Sequence, residues 1–162
     1  MFRAIFSLLI IGGVCGALLV GTHALTAEDI TLNREARARA LITAMLGEEL
    51  PPSTDLQALP IGTCEGWIIQ RITVGGYAGD IELLSLWRTP DRLTLRVTSH
   101  RETPGIGDFI DHERDAWTPQ LDGTSMATFA EVDNVSGATI TTNAIRDAAA
   151  ASAQGVEAYC RG

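Results

Sequence analysis

The run Asp133-Asn134-Val135-Ser136-Gly137-Ala138-Thr139-Ile140-Thr141 has the residue types and spacing to hold a phosphate. Its serine, glycine and threonines form a tight turn that brings hydroxyls and backbone N–H groups to the start of an alanine-rich helix. The first N–H groups of a helix have no intrahelical acceptor, and the macrodipole adds partial positive charge, so an anion is favoured there. A second reading fits the same residues: a plain capped helix, with Thr142 as the capping residue. The helix is expected over about 142–154, with Gly155 as its stop.

A second constellation lies upstream, His100-Arg101-Glu102-Thr103-Pro104-Gly105-Ile106-Gly107-Asp108, and reads as a turn closing a strand. Pro104 fixes its own φ. Gly105 and Gly107 permit positive φ or the close approach of a flat ligand to the backbone.

These two segments resemble the FMN-binding domain family. Asp133, Ser136, Gly137, Ala138 and Thr139 fill every fixed position of its Asp-x-x-(Ser/Thr)-Gly-Ala-Thr flavinylation motif. Glu102, Thr103, Pro104, Gly105 and Gly107 match its Glu-Thr-Pro-Gly-Leu-Gly segment, with Ile106 standing where leucine is usual. Gly76-Tyr77-Ala78-Gly79 is similar to a third family element, although a glycine-rich hairpin loop accounts for it equally. Within the family the chain looks most like the G subunit of the Rnf electron-transport complex. The C subunit of the Na+-translocating NADH:quinone reductase is a near cousin.

The resemblance implies a covalent FMN, joined through its phosphate to the Thr139 hydroxyl by a flavin transferase that uses FAD and Mg2+. Asp133 then belongs to the features that the transferase recognises. Ser136, Gly137, Ala138 and Thr141 are expected about the attachment point, and Glu102, Thr103, Gly105 and Ile106 against the isoalloxazine ring. A carboxylate at Glu102 would disfavour added negative charge on the ring and lower its potential. The implied partners are the other membrane subunits of an ion-translocating complex. Alternatives are a C-type subunit, a stand-alone flavinylated carrier, and, from another class, an anchored assembly module without flavin.

The bulk composition narrows the field. The formal net charge of −8 disfavours nucleic acid as a partner. All twelve basic residues are arginine, so a P-loop lysine, a Schiff base and a Ser-Lys dyad are excluded. No Gly-x-Gly-x-x-Gly follows a strand. His100 and His112 fit no metal-ligand spacing, and Ser136 lacks the flanking glycines of a nucleophile elbow.

Residues 4–25 carry no Asp, Glu or Arg and would span roughly 33 Å as a helix, enough for a bilayer core. Arg3 precedes them and Glu28-Asp29 follows. The positive-inside rule therefore places the N-terminus in the cytoplasm and the domain in the periplasm, anchored to the bacterial inner membrane. A cleaved signal peptide, ending near Thr22-His23-Ala24, is the rival reading. Val14 before Cys15 does not suit lipoprotein processing. Cys64 and Cys160 would lie in an oxidising compartment, either as a disulfide or as free thiols.

These readings give an α+β chain: an anchor over 1–25, a stalk helix over 26–50 opened by a capping box at Thr26-Ala27-Glu28-Asp29, and an extracytoplasmic domain over 51–162. In the domain an antiparallel sheet flanked by helices is expected. Its strands fall at 67–74, 81–87, 93–98 and 126–132, with a turn at 89–92 built on Pro90. Trp117 reads as a core aromatic.

Overall fold

The structure, a computed structural model, describes residues 2–89 and 91–162, so the expected turn residue Pro90 lies outside the described residues. The chain divides into two compact units, Met1–Ala40 and Leu41–Gly162.

The first unit is helical. Helix α1, Phe2–Leu46, begins here, and its run of leucine, isoleucine and valine faces solvent all round. Among the described residues it is the one helix long and apolar enough to cross a membrane, with a window of mean hydropathy 2.3 and none of that window buried. The expected helix start at Thr26 is not present. The Thr26 hydroxyl instead donates back to the Thr22 carbonyl at 2.9 Å, inside an unbroken helix. A capping box opens a helix only where the chain arrives from a non-helical conformation. Here no proline or glycine interrupts residues 22–30, and the preceding turn already supplies acceptors for the backbone.

The second unit opens with the last turn of α1, which stops at Gly47 with φ +77 and the Gly47 N–H bonded to the Thr43 carbonyl. A left-handed residue at that position is the usual helix stop, and glycine takes it without steric cost. Four antiparallel strands follow in spatial order β1-β2-β3-β4: β1 Ile61–Gly62, β2 Trp67–Gly75, β3 Asp80–Arg88 and β4 Arg92–Ser99. The three long strands match the expected ones to within a residue. The two-residue β1 has too little pattern to be seen in sequence.

One face of the sheet presents Ile72, Ile81, Leu83, Leu93, Leu95 and Val97, all buried. Against it packs helix α3, Thr139–Arg161, through Ala144, Ile145, Ala148 and Ala149. Alanine at these positions lets the helix lie close to the strands. Each buried Leu or Ile contributes roughly 1.5–3 kcal/mol, so the apolar layer supplies most of the adhesion. A buried polar tie sets the register: the Gln70 amide donates to the Ser152 carbonyl at 2.6 Å, and Ser152 Oγ donates to Ser85 Oγ at 2.9 Å. The opposite face buries Ile69, Leu84 and Leu86, and the Arg88 guanidinium there donates to the Leu46 carbonyl at the end of α1.

Two expectations fail in this unit. Residues 126–132 are not a strand; Met126–Glu131 is helix α2, capped by Ser125, whose Oγ accepts the Thr128 N–H. Met126, Phe129 and Val132 recur at helical and not at alternating spacing, and the edge of β4 is met by a single bridge, Leu93 to Thr124, after which the chain leaves the sheet. With no strand to pair with, Ala127 and Ala130 favour helix, and Phe129 still reaches the core. Nor does α3 stop at Gly155. It runs on to Arg161, and the glycine serves close approach, not termination: a Cβ at 155 would lie 2.2 Å from Gln70 Oε1. Cys64 and Cys160 are joined by a disulfide, with Cα atoms 5.8 Å apart, which pins the end of α3 near β1.

Candidate functional site

At the end of β4 the pairing slips: Glu82 faces Ser99 while Leu83 faces Val97, leaving Thr98 bulged with its hydroxyl donating to the Glu82 carbonyl. A bulge re-aims the chain beyond it. Here the chain passes into the 100–107 turn, closed by the Ile106 and Gly107 N–H groups on the Thr103 carbonyl and by Gly105 at φ +79.

Glu102 turns inward from this loop and is buried. One carboxylate oxygen accepts the Ala78 N–H at 3.1 Å and the other accepts the Thr141 hydroxyl at 2.5 Å. Three segments thus meet on one side chain: the β2–β3 turn, the 100–107 loop and the first turn of α3. Two glycines make room for it. A Cβ on Gly76 would lie 2.4 Å from Glu102 Oε1, and one on Gly107 would lie 2.8 Å from Glu102 Cβ.

Helix α3 begins three residues earlier than expected. Its first residue is Thr139, and the capping position falls on Ala138, which has no side chain to occupy the first N–H groups. Alanine is among the poorest capping residues, so the donors at this helix end are left to another acceptor. Thr142, expected as the cap, lies inside the helix. Its hydroxyl donates to the Ala138 carbonyl and accepts the Val135 N–H at 3.2 Å, folding the 135–138 turn onto the helix, with Gly137 at φ +80.

Between the loop and this helix end lies a cleft of about 370 Å³. Glu102 and Thr141 line its interior, and Thr103, Gly107, Gly137, Ala138 and Thr139 line its sides. Its remaining walls are Tyr77, Ile106 and Ile140, 70, 54 and 53% exposed, an apolar rim that a flat aromatic ligand would cover. Thr139 is exposed, and among the described residues its hydroxyl has no hydrogen-bond partner in the chain. Ser136 and Gly105 lie instead on an adjoining cleft of about 470 Å³ with Asp108 and Arg114, and the two clefts share Ile106 and Gly137. Asp133 is exposed and lines neither cleft.

The electrostatics are modest. Asp108 accepts the Gly105 N–H at 2.8 Å and pairs with Arg114 at 3.2 Å. The backbone hydrogen bond first, and the guanidinium after it, hold its carboxyl below the usual aspartate range, with slight burial opposing. His100 Nδ1 accepts the Glu102 N–H, and His112 lies apart from the clefts. Among the described residues no group of His, Cys, Asp and Glu is placed to hold a metal ion. Trp117 meets Phe109 edge to face at 4.8 Å, a core contact as expected.

An FMN-sized ligand fits this arrangement. The open helix end with an alanine cap suits its phosphate, the apolar rim suits its ring, and the volume lies in the range of small-molecule sites. Sequence reasoning did not assign Tyr77 or Ile140 to the site. The Gly-Tyr-x-Gly stretch was the available signal for Tyr77; Ile140 follows once α3 is known to begin at Thr139.

Comparison with known proteins agrees with this geometry. The FMN-binding domain pattern matches residues 76–154, from the glycine beside Glu102 to the last turns of α3. The G subunit of an ion-translocating oxidoreductase complex from Pseudomonas aeruginosa is 30% identical over 69% of this chain and 67% of its own length. Proteins of the same name from Stutzerimonas stutzeri and Pasteurella multocida are each 29% identical, over 88% and 85% of this chain and 76% and 84% of theirs. The chain therefore belongs to the family of ion-translocating oxidoreductase complex G subunits, and its cleft lies within an FMN-binding domain.

Proposed function

We propose that this protein is a membrane-anchored electron-transfer subunit of an ion-translocating oxidoreductase complex, with FMN esterified through its phosphate to Thr139. The observation that carries the attachment point is Thr139 itself. It is exposed, its hydroxyl is unengaged, and it is the first residue of a long helix whose cap leaves the N–H donors open beside a cleft. The phosphodiester would keep one negative charge, which such a helix end stabilises by roughly 0.3–1 kcal/mol when exposed.

No histidine or lysine adjoins Thr139 in sequence to activate it, which suits an external transferase. In that reaction the Thr139 Oγ–phosphorus bond forms as the pyrophosphate of FAD breaks, AMP leaves, and the hydroxyl proton passes to a base of the transferase. Bound in the cleft, FMN would supply the redox chemistry. The chain supplies the seat. Tyr77, Ile106 and Ile140 would cover the ring, Thr103 would offer it a hydroxyl, and Glu102 holds the cleft's three segments together. The α1 helix anchors the protein, with the domain on the periplasmic side as the Arg3 and Glu28-Asp29 asymmetry favours.

The test is flavin fluorescence in a denaturing gel, with wild type and Thr139→Val each co-expressed with a flavin transferase and exported. A fluorescent wild-type band that is dark in the variant supports the ester at Thr139. A dark wild-type band beside a working control overturns it.

A further inference from the structure

Arg146 makes contacts that the electron-transfer reading does not use. It lies seven residues beyond Thr139, two helical turns, and so on the same face of α3. Its Nη1 donates to Asn134 Oδ1 at 3.0 Å and to Asn143 Oδ1 at 2.7 Å, and its Nη2 donates to the Val132 carbonyl. Val132 and Asn134 are the two neighbours of Asp133. The guanidinium therefore grips the chain on both sides of that residue, while the Asp133 carboxylate is exposed and has no partner among the described residues. The Arg146 side chain is partly buried in doing so, with Nε enclosed and lacking an acceptor, so its contacts through Nη1 and Nη2 carry the whole compensation.

Besides these bonds, the segment is ordered by the packing of Val132 against the core. Between the end of α2 at Glu131 and the turn closed by the Ala138 N–H on the Val135 carbonyl, no backbone hydrogen bond joins residues 132–134 to another part of the fold among the described residues. Ordering a backbone costs roughly 1–2 kcal/mol per residue. Charge-assisted hydrogen bonds of the kind Arg146 makes are the interactions strong enough to offset it.

We infer that Arg146 is a positioning residue for flavin attachment: it preforms the 132–134 segment against α3 so that Asp133 and Thr139 reach the transferase as one rigid surface. This rests on the proposed attachment at Thr139. It adds that the transferase reads a folded presentation of the motif, with a residue outside the motif setting how fast the ester forms.

The experiment has two readouts on Arg146→Met, which keeps the stem and removes the donors, alongside Arg146→Lys and Asn134→Ala. The first is amide hydrogen exchange over residues 132–139 in the flavin-free protein, read at Val135 and Ala138, whose N–H groups are hydrogen-bonded. Arg146→Met is expected to lose protection there by about tenfold while the β2, β3 and β4 amides keep theirs. The second is the initial rate of covalent flavin incorporation by a purified transferase with FAD, expected to fall by about tenfold, with Arg146→Lys and Asn134→Ala between variant and wild type. Unchanged exchange in the 132–139 segment overturns the inference whether or not flavin attaches. So does a wild-type rate in a variant whose segment has loosened. If Arg146→Met does not fold, Asn134→Ala, altered at an exposed position, decides the same question by its own exchange and rate. A wild type that takes up no flavin counts against the attachment site, and the exchange readout still judges Arg146.

Discussion

The Glu102 carboxylate accepts the hydroxyl hydrogen of Thr141 across 39 positions of sequence, joining the loop after β4 to the first turn of α3. Its other oxygen takes the Ala78 N–H, so the site is closed by one side chain from inside. Replacing it with alanine strands the Thr141 hydroxyl in a buried place and leaves the Ala78 N–H, in a partly buried one, without its acceptor. Glu102→Ala should lose about 2–5 kcal/mol of unfolding free energy in urea titration, and Glu102→Gln, which keeps the volume and one acceptor oxygen and can donate its amide to the Thr141 hydroxyl, less than about 2. In the flavinylated protein the sign of the electrical effect is separate. Removing a negative charge near the ring makes added electrons easier to accept, so Glu102→Gln should raise the flavin potential; an unchanged or lower potential would show that the carboxylate is screened from the ring.

Gly107 is required for space. Its φ of −110 is open to any residue, so an alanine there meets no backbone strain. It does meet Glu102, with Cβ to Cβ at 2.8 Å. Gly107→Ala should therefore cost about 1–3 kcal/mol by overpacking. Gly105→Ala, which has open space but a φ of +79, should cost about 1 kcal/mol by strain instead. Thermal unfolding of the two, each with and without Glu102→Gly, which removes the clashing Cβ, separates the causes: the cost at 107 should shrink on that background and the cost at 105 should not.

Acid should act on the Asp108 corner. The carboxyl is held below the usual aspartate range, foremost by the Gly105 N–H and then by Arg114. A depressed folded-state value means that the unfolded chain binds the proton more readily. The corner's contribution is therefore complete above the usual aspartate range and is lost as pH falls through the lower, folded-state value. Melting temperatures between about pH 5 and about pH 2.5 should fall more steeply for wild type than for Asp108→Asn. Equal slopes would mean that the contacts contribute no measurable stability in solution.

The long strands, the apolar N-terminal helix and both site segments were legible because each depends on local pattern or on a specific string of residue types. The features that were not legible depend on the tertiary surroundings. Residues 126–132 become α2 because no strand edge is offered to them, and the spacing of Met126, Phe129 and Val132 already suits a helix face. Gly155 looks like a helix stop until Gln70, 85 positions earlier, is found against it. Thr142 looks like a cap because threonine caps well, and the alanine in that role gives no signal of its own. The same limit hid the part Glu102 plays: its chemistry could be read, but not the Ala78 and Thr141 donors that enclose it.

The disulfide allows stability and function to be separated. Cys160 lies 21 residues along α3 from Thr139, a helical distance of about 31 Å, so the bridge sits at the far end of the helix from the cleft. It closes a loop of 96 residues, and Tyr159 beside it donates to the Gly62 carbonyl, so the terminal turn and β1 are held as one corner. Losing a cross-link of that span should cost about 2–5 kcal/mol, seen in urea titration of Cys64→Ser with Cys160→Ser against wild type. Amide exchange should rise over residues 156–162 and at β1, while the first turn of α3, fixed by Glu102 and Thr142, keeps its protection. Flavin incorporation at Thr139 should then proceed at the wild-type rate under conditions where the variant stays folded. A slowed rate in a folded variant would mean that the two ends of α3 are coupled through the sheet, with the Gln70–Ser152–Ser85 tie as the route to test next.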